Sequence, residues 1–166
     1  MGKGTMKISA EIASWMQKFL LGVNGEYWGV GYVTDGIPNI SNGTLGRWQL
    51  GVDMIYRTLT CGLLDVDVFV ECHDKTSFLH AIRMINPYED SGGFLWNGTQ
   101  VYGTERLKVL VDAHFPSQHE HDDELSATFI EALEQIFAEN GVPWSDKPLL
   151  PIMPAQGTSA TSAATY

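Results

Sequence analysis

The sequence predicts an α+β domain in which about five helices pack on a small, largely antiparallel sheet that includes a hairpin over residues 93–102. Three observations lead there. Several stretches repeat apolar side chains at the i, i+3, i+4 spacing of one helical face. Asn97-Gly98 lies between two runs of apolar and β-forming residues, the arrangement of a two-residue hairpin turn. The extended runs do not alternate regularly with helices, which argues against a doubly wound sheet. At 166 residues, 44% of them hydrophobic, the chain has the length and the apolar content for one core of its own.

Ser9 can cap a first helix in which Ile12, Trp15, Met16, Phe19 and Leu20 share a face and which Gly22 ends. Glu26 to Val33 is aromatic and β-branched and reads as a strand interrupted by Gly29 and Gly31; Asp35-Gly36 and Pro38-Asn39 then break the chain. Thr44 opens a longer helix carrying Leu45, Trp48, Val52, Ile55, Tyr56 and Leu59, with Gly62 as its stop. Leu63 to Val70 is extended. A third helix starts between Asp74 and Thr76 and ends before Pro87. After the hairpin, Thr104 caps a fourth helix with Leu107, Leu110, Val111 and His114 on one side, closed by Pro116. Ser117 to Asp123 is a polar connector. Leu125, Phe129, Leu133, Ile136 and Phe137 form the fifth helical face, capped by Asp122 or Asp123 and stopped by Asn140-Gly141 and Pro143. Residues 1–8 read as an N-terminal extension, 9–150 as a single globular domain, and 151–166 as a flexible tail in which Ala, Ser, Thr and Gly dominate from Ala155.

Composition narrows the function. No segment approaches the roughly 18 apolar residues of a membrane span. The amphipathic start, with Glu11 and Lys18, is not of signal-peptide type, so the expected location is the cytoplasm. Cys61 and Cys72 are too few for a disulfide framework and read as reduced thiols. A net charge of −10 opposes binding to a phosphate backbone, since that affinity comes from Lys and Arg displacing counterions. Nucleic acid is therefore not expected as a partner, and a basic protein is.

Four groups of residues could carry chemistry. His119-Glu120-His121-Asp122-Asp123-Glu124, with His114 upstream, has the side chains of a divalent-metal site and supports a metal-dependent hydrolase as one alternative; without HExxH spacing it equally reads as a solvated connector. Asp65, Asp67 and Glu71 could pair around a metal, or could simply be the wet face of a strand. Cys72-His73 points its two side chains to opposite sides of an extended chain, and Cys61 sits near a helix C-terminus that disfavours a thiolate. Tyr27, Trp28 and Tyr32 are read as core rather than as a recognition surface. None of these groups completes a catalytic motif, and the expectation is a protein that is no enzyme and carries no cofactor.

Charge is the strongest remaining signal, and it is localised. Residues 1–83 hold eight acids and seven bases, a net of −1, whereas residues 84–166 hold twelve acids and three bases, a net of −9. Between Val109 and Asp146 there are nine acids and no Lys or Arg. Exposed helices usually mix signs in i, i+4 pairs, and this one does not. Glu120, Asp122, Asp123, Glu124, Glu131 and Glu134 are therefore the candidate partner-binding residues, with the last three expected opposite the apolar face of the fifth helix.

The stretch from Arg47-Trp-Gln-Leu to Thr60-Cys-Gly-Leu-Leu-Asp-Val66 reads as a long helix ending in glycine and then a short extended run, with Gly93-Phe-Leu-Trp and the hairpin following. In this pattern, over residues 10–140, the chain resembles small bacterial immunity proteins that guard against contact-dependent and other polymorphic toxins. The resemblance implies a cytoplasmic, non-catalytic inhibitor that binds one cognate, often basic, toxin domain. A secretion chaperone, also small and acidic, is the other binding alternative.

Overall fold

The structure, a computed structural model, describes residues 8–38, 44–89, 92–116 and 124–154. Among these residues six α-helices and three strands follow in the order α1 (Ala10–Val23), β1 (Tyr27–Gly29), a short 3-10 helix (Val30–Thr34), α2 (Thr44–Thr60), β2 (Leu64–Val68), α3 (Lys75–Met84), α4 (Gly92–Gly98), β3 (Gln100–Gly103), α5 (Glu105–His114) and α6 (Ala127–Glu139). The fold is α+β, with the helices on a small antiparallel sheet of order β1-β3-β2. Local capping chemistry sets most boundaries. Ser9 and Thr104 accept hydrogen bonds from the amides of Ile12 and Leu107, as their sequence positions predict. Asp74 and Ser77 cap each other reciprocally at the start of α3. Gly62 and Gly141 adopt φ of +70° and +75° just beyond α2 and α6, a conformation open to glycine. One cap differs from expectation: α6 is opened by Ser126, whose hydroxyl accepts from the Phe129 amide, rather than by Asp122 or Asp123.

The predicted 93–102 hairpin does not form. Residues Gly92–Gly98 are helical, Asn97-Gly98 joins that helix to a strand, and β3 pairs with β1 on one side and β2 on the other. The reason is burial. Leu95 and Trp96 are adjacent and both buried, with 1% and 0% exposure, and neighbours on a strand would face opposite ways. A helix turns both inward, and the Trp96 indole then donates to the Ile85 carbonyl at 2.7 Å. The expected strand from Glu26 to Val33 likewise shrinks to Tyr27–Gly29. Gly29 and Gly31 leave room for the end of α4: a Cβ on Gly29 would stand 2.7 Å from the backbone oxygen of Asn97, and one on Gly31 would meet the Asn97 side chain.

The sheet has an inner and an outer face. Register places Trp28, Val101 and Val66 in one cross-strand row and Tyr27, Tyr102 and Asp65 in the next. Val101 is fully buried and Trp28 packs edge-on against Phe19 of α1, so the first row faces the core. Alternation turns the second row outward.

Helix α2 lies at the centre. Every residue from Trp48 to Ile55 is buried, and among the buried side chains along the helix the polar Gln49, Asp53 and Arg57 are spaced i, i+4, i+8 on one stripe. They hold the backbone of residues 142–152, which contain no helix or strand. Arg57 donates to the carbonyls of Val142 (3.3 Å) and Pro143 (3.1 Å), and its guanidinium lies 4.7 Å from the centre of the Trp144 ring. Asp53 accepts from the amides of Leu149 and Leu150. Gln49 donates to the Leu150 carbonyl and accepts from the Ile152 amide. Arg83 and Met153 add two further bonds to this strap, with Arg83 Nε donating to Pro151 and the Met153 amide donating to the Arg83 carbonyl. The chain thus stays fastened to the body through Met153, beyond the boundary predicted at 150. At the other end Ile8, placed by sequence in the extension, is 1% exposed.

Replacing Asp53 by Ala leaves two strap amides without their acceptor. Urea unfolding of Asp53→Ala is expected to lose about 2–4 kcal/mol, with faster hydrogen exchange at Leu149 and Leu150. A loss below about 0.5 kcal/mol contradicts the role given to this stripe.

Candidate partner-binding surface

Helix α6 is amphipathic. Phe129, Ile130, Leu133 and Phe137 are buried, while Glu131, Gln135 and Glu139 are exposed. Its start is positioned from α1, where the buried Gln17 accepts from the Ser126 amide at 2.9 Å and donates to the Glu124 carbonyl at 2.8 Å. Of the predicted acids, Glu124 and Glu131 are on the surface. Glu134 is half-buried and accepts the Ile8 amide at 2.8 Å, so it ties α6 to the chain that leads into α1. The apolar and acidic positions at helical spacing could not reveal this, because the donor lies 126 residues away. Glu120, Asp122 and Asp123, and the metal candidates His119 and His121, lie outside the described residues. Other acids of the run are engaged locally: Asp112 pairs with Lys108 at 2.8 Å, and Glu139 accepts from Gln135 at 2.8 Å.

The histidine and cysteine candidates make separate local contacts. His114 is in hydrogen-bond contact with Thr128 and packs edge-on against Phe129. Burial pushes the Cys61 thiol up to about 11 despite the nearby Arg106 and Arg57 guanidiniums, which makes it a poor nucleophile at neutral pH. Cys72 is also raised, by burial and then by Glu71 and Asp74. Among the described residues no group of three or more His, Cys, Asp or Glu side chains is placed to hold a metal ion, and no helix is long and apolar enough to cross a membrane.

Asp65 belongs to a different arrangement. Its carboxylate pairs with Lys75 at 2.8 Å, accepts from its neighbour's amide on Val66 and lies 3.5 Å from the Tyr102 hydroxyl. The Lys75 hydrogen bond holds Asp65 below the usual carboxylate range, and Asp65 in turn raises Tyr102. Tyr27 stacks beside Tyr102 at 5.5 Å with a 43° tilt. Contrary to the core assignment made from sequence, Tyr27 is 60% exposed and Tyr32 57%. The signal was present in the alternation of Tyr27 and Trp28, which must send one ring inward and the other out.

The chain matches no family model, no curated protein and no solved structure.

The carboxylate of Asp65 disfavours the Tyr102 phenolate, so Asp65→Asn is expected to bring Tyr102 ionisation to lower pH, as followed by NMR of ring-labelled tyrosine. The Asp65 pKa is depressed in the folded chain, so the stability gained from its pairing is present above the unfolded carboxyl pKa and fades as pH falls through the folded value. An exposed pair of this kind contributes about 0.2–1 kcal/mol. A Tyr102 midpoint indifferent to Asp65→Asn contradicts the contact.

Proposed function

We propose that this chain is a cytoplasmic binding protein that neutralises a basic protein partner by direct complex formation, in the manner of an immunity protein acting on a cognate toxin domain. The observation that carries the reading is the run from Val109 to Asp146, with nine acids and no Lys or Arg. Glu124, Glu131 and Glu139 are exposed within it, on or beside a helix anchored by a buried apolar face and by Gln17. Like charges gathered on a rigid element cost stability in the free protein and are compensated when a partner of opposite charge arrives. Such a field attracts basic surfaces over a distance of about 10 Å at ordinary salt and repels nucleic acid.

The test pairs the chain with any toxin domains found encoded beside its gene. Co-expression is expected to protect cells from one of them. Glu124→Lys combined with Glu131→Lys should slow association by about tenfold at low salt and flatten its salt dependence, with little change in dissociation. Glu134 is left intact because it holds Ile8. Absence of protection together with association rates unaffected by both reversals overturns the proposal.

A further inference from the structure

We infer that the outer face of the sheet is a recognition site for an arginine side chain carried by the basic partner. The inference rests on the reading of the chain as a binder of a basic protein, and it adds a site that lies apart from the acidic run.

The solvent side of an antiparallel sheet is ordinarily polar. Here its central row is Tyr27, Tyr102 and Asp65, one residue from each strand. The two rings sit 5.5 Å apart with Tyr27 60% exposed, and Val68, two rows along opposite Gln100, is 46% exposed. Carboxylates border the rings. Asp65 completes the row, and the register shift between Val66 and Val68 makes Asp67 the extra residue of a bulge, a device that re-aims a side chain. Asp67 is exposed and has no ion-pair partner among the described residues. Asp65 and Asp67 both raise the Tyr102 hydroxyl, so their negative potential falls on the ring edge.

A cation already sits there. The Lys75 ammonium lies 2.8 Å from Asp65, and its side chain remains 52% exposed, so the pair is weak and open to exchange. Arginine fits this surface better than lysine. A planar guanidinium can stack on a tyrosine face while its fork of N–H donors engages a carboxylate. Tyrosine and arginine are also the residues on which interface energy concentrates.

The test is an NMR titration of the full chain, with labelled tyrosine rings and backbone amides, using a capped hexa-arginine peptide at low salt. The Tyr27 and Tyr102 rings are expected to shift most. Tyr27→Ser and Asp65→Asn should each weaken binding at this face about threefold, whereas Lys75→Ala, which removes the resident cation, should strengthen it by a similar factor. Opposite effects of two exposed substitutions cannot arise from unfolding. Shifts centred on Glu124 and Glu131 that leave both rings unmoved overturn the inference and leave the proposed function standing. Equal affinity in all three variants also overturns it, and failure of the peptide to bind anywhere overturns both.

Discussion

The fold depends on how one buried helix satisfies its polar side chains. Helix α2 is buried without a break from Trp48 to Ile55, yet it carries Gln49, Asp53 and Arg57 into the interior. Buried polar groups without partners cost several times what an ordinary hydrogen bond contributes, so these three positions require something to bind. The strap from Val142 to Ile152 needs partners equally, because it has no ladder or helix of its own to take up its amides and carbonyls. Each solves the other's problem. The result is an extended segment fixed across the centre of the domain, and the Trp144 ring over Arg57 shields that charge from water.

Much of this architecture could be read from sequence because it is local. Ser9, Asp74 and Thr104 cap the helices they precede, and Gly62 and Gly141 end theirs, through contacts within a few residues. The failures involve distant partners. Asn97-Gly98 is compatible with a hairpin turn and with a helix end; the choice between them was made by the Trp96 pocket and by β1 and β2 occupying both edges of β3. Glu134 matches the pattern of a free acidic face and is instead bonded to Ile8. Gln49, Asp53 and Arg57 left a legible trace, a polar residue every fourth position in an apolar helix, but periodicity alone does not say whether such a stripe faces water or a strap.

Two surfaces then carry the functional argument, and they differ in physics. The acidic run acts through long-range attraction, which governs encounter and weakens with salt. The outer sheet face can act only at contact, through rings and a carboxylate already paired with lysine. A binder with both properties would be steered by the first and held by the second. Both stand on elements whose positions are fixed by the core: α6 by Phe129, Leu133 and Phe137, and the sheet by the inward row of Trp28, Val101 and Val66.

The most direct measurement of this account compares the chain ending at Gly141 with the chain ending at Pro154. If α2 and the strap complete one another, the shorter chain loses its cooperative urea transition and binds hydrophobic dye, while the longer one unfolds in a single step. A chain ending at Gly141 that unfolds cooperatively, within about 1 kcal/mol of the longer one, would contradict it.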